Sequence, residues 1–259
     1  MHRAAAATVL ATDADARHKE LFQSALVRPA IEGLSGRAKA LPLGLGAVDA
    51  SLPEGGLPRG AVVELTAPQG LARSTTLALS LCASAQAEAR LRGESDTRGA
   101  WCAWLDPVHA RGSGSPSAPS APNPGSLFAP AVARAGVDLE RLLVVRPDLD
   151  DLARVAVRVA GCHAFSVVVV DTAGVPGCRG EARLDRWVTI VRRLALAIEG
   201  SDTTVLLLTD AAASRAMPLP AAMRIELERL GEDRLGLRVA KDRRGRVTGA
   251  QSIELGKSA

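Results

Sequence analysis

Residues 62–81 read VVELTAPQGLARSTTLALSL. Around them, Ala61–Thr66 is an apolar, β-branched run, Ala67–Arg73 is a short loop, and Ser74–Arg90 spaces Leu77, Leu81 and Ala85 along one helical stripe. The reading is a buried strand, a tight connection and a helix that opens on hydroxyl residues. The same alternation recurs downstream. Trp101–Leu105 (WCAWL) reads as a second strand, Phe128–Ala135 as a helix, Leu142–Arg146 as a strand and Leu149–Ala160 as a helix with Leu152, Val155 and Val159 on one side. Phe165–Asp171 (FSVVVVD) has no polar alternation, as expected of a parallel strand covered on both faces. A helix over about Glu181–Glu199 leads to the apolar strand Thr204–Leu208.

The tail changes character. Arg224–Leu230, Leu235–Lys241 and Val247–Leu255 read as strands, the last two flanking the turn Asp242-Arg243-Arg244-Gly245-Arg246. Strand–helix alternation followed by a small antiparallel tail predicts an α/β fold. The expected form is a mostly parallel central sheet with helices on both faces and a small antiparallel C-terminal β extension.

Working outward, residues 1–40 read as an N-terminal arm. Thr12 is placed to cap a helix from Asp13 to about Leu26, ended by Pro29. Its few apolar positions leave it in need of something to pack on. Residues 41–259 read as the core domain, interrupted at 111–126 (RGSGSPSAPSAPNPGS) by a Ser/Pro/Gly/Ala segment without periodicity, taken as a flexible insertion.

Composition narrows the function. The chain has 259 residues, 47% of them hydrophobic, which is enough for a sizeable core and excludes a wholly disordered protein. No apolar run approaches the ~18 residues of a membrane span, and no secretory pattern opens the chain; the expectation is a cytoplasmic protein with no membrane partner. The net charge is +4, and lysine accounts for only four of the 32 basic residues. That is a weak argument for nucleic acid. With no tyrosine, three phenylalanines and three tryptophans, binding that relies on stacked bases is disfavoured. Cys82, Cys102, Cys162 and Cys178 form no CxxC pair, so they are read as small buried hydrophobes and no metal site is expected.

The loop after the first strand occupies the place of a phosphate-binding loop, whose frame is G-x-x-x-x-G-K-[ST]. The eight residues here are Ala67-Pro68-Gln69-Gly70-Leu71-Ala72-Arg73-Ser74. Both signature glycines are alanine, the lysine is Arg73, and only Ser74 fits. An alanine where φ must be positive costs about 1 kcal/mol, and its Cβ intrudes on the nest of N–H groups. Arg73 keeps the charge, but its wide fork does not replace a compact ammonium.

Taken with its neighbours, this loop resembles that of the RecA family. Gly55-Gly56-Leu57-Pro58-Arg59-Gly60-Ala61-Val62-Val63-Glu64 is similar to the family's lead-in to Walker A. Ala103–Ala110 is similar to the strand end bearing its catalytic glutamate, Gly136–Leu143 with Arg146-Pro147-Asp148 to the stretch before the Walker B helix, and Val167–Asp171 to Walker B. The resemblance covers about residues 43–255 and implies a RecA-type, P-loop NTPase-like core. The departures imply as much. The glutamate position holds Val108, and the γ-phosphate-sensing glutamine position holds Asp210. Val175–Glu181 and Ala211–Pro220, where the DNA-binding loops would lie, are short.

This eroded pattern is similar to the ImuA-like proteins, RecA-like accessory proteins of bacterial translesion mutagenesis cassettes, and neighbours the SulA-like division inhibitors. The resemblance implies a non-catalytic accessory protein of SOS-induced translesion synthesis. Its implied partners are RecA, an ImuB-like inactive Y-family polymerase and the error-prone DNA polymerase of the mutasome. Self-association through the arm and weak direct DNA contact stay open. The alternatives are a DNA-stimulated ATPase with a variant loop, or a division inhibitor.

For candidate sites, Arg73, Ser74 and Thr75 open a helix whose N–H groups form an anion site by geometry alone. Asp171 reads either as a Walker B remnant orienting Mg²⁺ through water or as a cap on the following loop. The expectation is no required cofactor, with weak ATP and Mg²⁺ binding at most. Lys241, Arg243, Arg244 and Arg246 crowd one turn. Lys241 and Arg243 resemble the family's basic residues that reach a neighbour's γ-phosphate; the alternative is a solvated charged turn.

Overall fold

The computed structural model describes residues 40–68, 73–91, 101–107, 127–172, 184–213 and 217–254. The chain divides after Lys39, and the unit Ala40–Ala259 is the one described. The arm at 1–40, but for its last residue, and the 111–126 insertion lie outside the described residues, as does Cys178.

Among the described residues, eight strands form one sheet in the order β3-β2-β4-β5-β1-β6-β7-β8. They are β1 (Val62–Ala67), β2 (Cys102–Leu105), β3 (Leu142–Val145), β4 (Val167–Asp171), β5 (Thr204–Asp210), β6 (Met223–Arg229), β7 (Arg234–Asp242) and β8 (Gln251–Glu254). Every pairing from β3 across to β6 is parallel, and β6–β7 and β7–β8 are antiparallel. The helices are α1 (Gly46–Ser51), α2 (Ser74–Leu91), α3 (Ala129–Arg134), α4 (Leu152–Gly161) and α5 (Trp187–Ala197). The α/β class and the antiparallel tail read from the sequence both hold.

Two apolar cores lie on opposite faces of the sheet. Alternate residues of β1 sort between them: Val63, Leu65 and Ala67 join Leu77, Leu81 and Ala85 of α2, whereas Val62 joins Leu152 and Ala156 of α4 and Trp187 and Val191 of α5. In β4, Val167 and Val169 face one core and Val168 and Val170 the other, all 0% exposed. Double coverage explains the unbroken valine run, because each strand face needs an apolar side chain. Gln86, buried on α2, donates to the carbonyls of Asp138 and Arg141 (3.2 and 3.3 Å) and accepts from Asp138 N (2.8 Å). It thereby fixes the lead-in to β3.

Some boundaries differ from expectation. The last strand begins at Gln251 rather than Val247. Before it, Thr248 Oγ1 accepts from Val239 N (3.1 Å), so a side chain takes a bond that a ladder would make, and Gly245 turns at φ 76°. The helix expected from Glu181 starts, among the described residues, with a 3-10 turn at Leu184–Arg186. Cys162 is exposed rather than buried, because it follows the end of α4, where its Sγ donates to Val159 O (2.9 Å). Cys82 and Cys102 are buried as expected. The hydrogen bond with Cys102, followed by burial, holds the Cys82 thiol well above its ordinary pKa and makes it a poor nucleophile.

Candidate functional site

The parallel strands end together. In register, Ala67 of β1 lies beside Asp210 of β5, and Asp171 of β4 beside Leu208. The ends of β1, β5 and β4 therefore share one edge, where open α/β sheets bind ligands. Asp171 closes β4 half-buried, while the next residue, Thr172, donates from Oγ1 and N to Leu208 O (2.7 and 3.0 Å). Asp210 is 6% exposed and accepts from Ala212 N (2.9 Å). A carboxylate that caps its own turn does the local work of an Asx turn, in place of the amide the family resemblance expects there. Val108 lies outside the described residues.

Residues 69–72 of the phosphate loop also lie outside the described residues. The loop's two ends are informative. Arg73 has φ 55°, a left-handed backbone that a side-chain-bearing residue adopts at a cost of about 1–3 kcal/mol. Its carbonyl accepts from Leu77 N (3.1 Å), so it sits just outside the first turn of α2. Its Nη2 donates to Glu232 O at 2.5 Å, in the turn between β6 and β7. The guanidinium that would replace the phosphate-gripping ammonium is thus tied to a main-chain carbonyl. Ser74 is half-buried and Thr75 exposed at the α2 N-terminus.

A different set of charges, which sequence reading missed, crosses the sheet on the face opposite α2. Glu64, 0% exposed on β1, accepts from Thr209 Oγ1 of β5 (2.9 Å) and faces Arg224 of β6 (3.8 Å). Arg224 pairs with Glu226 (3.2 Å), and Arg238 of β7 donates to Glu226 through Nε (2.9 Å) and Nη2. Beside this ladder lies a cavity of about 550 Å³ lined by Thr66, Pro68, Arg224, Glu226 and Arg238 among others. The alternation MRIELER in β6 signals it, with Met223, Ile225 and Leu227 buried and the charged residues between them turned to the other face.

The basic residues at the end of β7 and in the turn after it split into two pairs. Lys241 Nζ donates weakly to Leu219 O (3.4 Å), and Arg243 is held by its backbone N–H on Ala222 O (2.7 Å) while its side chain is exposed. Arg244 and Arg246 instead converge through Nη1 on one oxygen, Glu54 Oε1, the second at 2.7 Å. Arg246 Nε also donates to Asp242 Oδ2 (2.6 Å), and Arg244 N to Asp242 Oδ1 (3.2 Å). Burial acts to raise the pKa of Asp242, but its bonds with Arg246 and Arg244 outweigh that and hold the carboxyl below its ordinary range. Glu54 lies 190 residues from Arg244 and has no periodic signal pointing to it.

An eight-stranded, mostly parallel sheet with an antiparallel C-terminal extension and a phosphate-loop position after β1 is consistent with a RecA-like core. Comparison with known proteins supports the same class. Over 177 residues the chain is 32% identical to the RecA protein of Thermus thermophilus, covering 67% of this chain and 44% of that protein. It is 29% identical over 184 residues to RecA of Cutibacterium acnes, covering 66% and 45%. Against RecA of Chloroflexus aurantiacus it is 27% identical over 233 residues, covering 78% and 58%. The chain spans about half the length of the curated relatives it matches. No family model matches it. Among the described residues, no helix is long and apolar enough to cross a membrane.

Proposed function

We propose that this chain is a non-catalytic, ImuA-like accessory protein of SOS-induced translesion DNA synthesis, acting in the cytoplasm through protein partners. The observation that carries the reading is Arg73: it stands where a phosphate loop holds lysine, and its guanidinium is tied to Glu232 O at 2.5 Å. Alanine at both glycine positions and Val108 at the glutamate position favour the same reading. A general base typically contributes about 10²–10⁴-fold in rate, and phosphoryl transfer depends on positioned cations, so losing both leaves negligible turnover. No cofactor is required; residual ATP and Mg²⁺ binding at Ser74, Thr75 and Asp171 is weak.

The opposite end keeps its cations. Lys241 and Arg243 meet the nucleotide phosphates of a RecA protomer, while this chain's own loop offers the next subunit no working site. Such a subunit caps a RecA filament and brings with it the ImuB-like subunit and the error-prone polymerase. ATP hydrolysis with and without single-stranded DNA tests the first half: the expected rate is at background, with a partial gain in Ala67→Gly/Ala72→Gly/Arg73→Lys. Ordinary turnover by the unaltered chain overturns it in favour of a DNA-stimulated ATPase. For the second half, Lys241→Ala/Arg243→Ala is expected to weaken capture of ATP-bound RecA, and unchanged capture overturns the docking.

A further inference from the structure

Four cations stand within six residues at Lys241–Arg246, yet two of them are engaged by an acid from a distant segment. Glu54 sits in the 3-10 turn Pro53–Gly55 with φ 61° and ψ 15°, a left-handed backbone for a residue that carries a side chain. Gly55 follows at φ 71°. The base of this turn is rigid. Leu41 and Leu57 exchange backbone hydrogen bonds of 2.7 and 2.8 Å, and a Cβ on Gly56 would lie 2.4 Å from Leu41 O. Glu54 is thus presented by a fixed turn, in a conformation that its two guanidinium contacts help to offset.

The contact is poised rather than sealed. The side chains of Glu54, Arg244 and Arg246 are 32, 40 and 37% exposed, so solvent screens the pairing and a stronger anion can compete for it. One oxygen of Glu54 serves two guanidinium groups, Arg246 keeping its Nε on Asp242 Oδ2 (2.6 Å), whereas a polyphosphate offers several oxygens to the remaining N–H groups of each arginine.

We infer that Arg244 and Arg246, together with Lys241 and Arg243, form a binding site for a compact polyphosphate, and that Glu54 is the built-in competitor that keeps it shut. The cations are gathered at the end of β7 and in the turn that follows it, which suits a point-like polyanion. A nucleic-acid strand is instead tracked by an extended basic groove, and these four cations span only six residues. This inference rests on the reading of Lys241 and Arg243 as phosphate-facing groups, but its test turns on Arg244 and Arg246 alone.

The probe is inorganic tripolyphosphate, titrated calorimetrically at low salt into the full chain. Removing the competing charge in Glu54→Gln is expected to tighten binding about tenfold, equivalent to about 1.4 kcal/mol. Glu54→Gly, which also removes the backbone strain, is expected to do the same and serves if the glutamine variant folds poorly. Glu140→Gln removes an equal charge beside β3, at the opposite edge of the sheet, and is expected to match the unaltered chain. Glu54→Gln/Arg244→Gln/Arg246→Gln is expected to lose the gain. The inference is overturned if both Glu54 variants bind no tighter than the unaltered chain, if Glu140→Gln gains equally, or if the triple variant keeps the gain. It is also overturned if the gain appears only with oligo-dT and grows with its length, which would assign the site to a DNA strand. Failure of Lys241→Ala/Arg243→Ala to weaken RecA capture would remove the docking partner while leaving these titrations to stand or fall on their own.

Discussion

The two halves of the sheet solve burial differently. From β2 through β4 to β5 the strands are parallel and buried on both faces, so β4 buries four consecutive valines and the acids Asp171 and Asp210 stand at strand ends. From β6 to β8 the strands are antiparallel, and the face opposite α2 carries charges instead. There burial alternates along β6, and an acid–base ladder runs from Glu64 through Arg224 and Glu226 to Arg238. The covered half holds its shape by apolar packing and confines chemistry to the loops at its edge. The open half places ionic groups across its middle, and it also carries the basic turn. The parallel scaffold and the charged antiparallel face are therefore built by different forces.

Removing packing from the covered half should cost most. Trp104→Ala, at a side chain 1% exposed, is expected to lower stability by about 3–5 kcal/mol in urea unfolding. A loss no larger than that of a surface substitution would mean that β2 is not anchored by its burial. Next comes the buried end of the ladder. Arg224→Ala removes the guanidinium facing Glu64 and is expected to cost about 3 kcal/mol, the low end for a broken buried pair, because Thr209 still donates to Glu64. At the exposed end, Arg238→Ala, 52% exposed at its side chain, should cost less than about 1 kcal/mol. If Arg238→Ala cost as much as Arg224→Ala, the ladder would be a single cooperative unit and the contrast between its ends would fail.

The smallest effect is a pH dependence in the basic turn. The carboxyl of Asp242 is held below its unfolded value, so its contribution is fully present above about pH 4 and is lost as pH falls through the folded pKa. The stability difference between the unaltered chain and Asp242→Asn should accordingly be constant near neutrality and shrink in acid. A difference that grew as pH fell would place Asp242 outside this ion cluster.

Much of the scaffold was legible because covered strands leave a local trace. FSVVVVD, AVVELT and the stripe Leu77, Leu81, Ala85 each report their burial within a few residues. The phosphate-loop position was legible for the same reason, since strand, loop and helix are contiguous. Long-range ionic contacts leave no such trace. Glu54 meets Arg244 and Arg246 only because the Leu41–Leu57 bridge and the turn after β7 bring distant segments together. The sequence pattern starts β8 too early because the Thr248 hydroxyl substitutes for a backbone acceptor, which β-propensity does not report. Residue type predicts a buried Cys162, since cysteine usually is buried, whereas its place just past α4 leaves it in solvent.

The acceptor for Arg73 is a peptide carbonyl, not a side chain. Whatever residue occupies position 232, that oxygen is still offered, so single substitutions there leave the arginine tethered. Release demands a change in the length or path of the β6–β7 turn itself. The grip on Arg73 is thus written in chain geometry, which point mutation erodes slowly and insertion removes at a stroke.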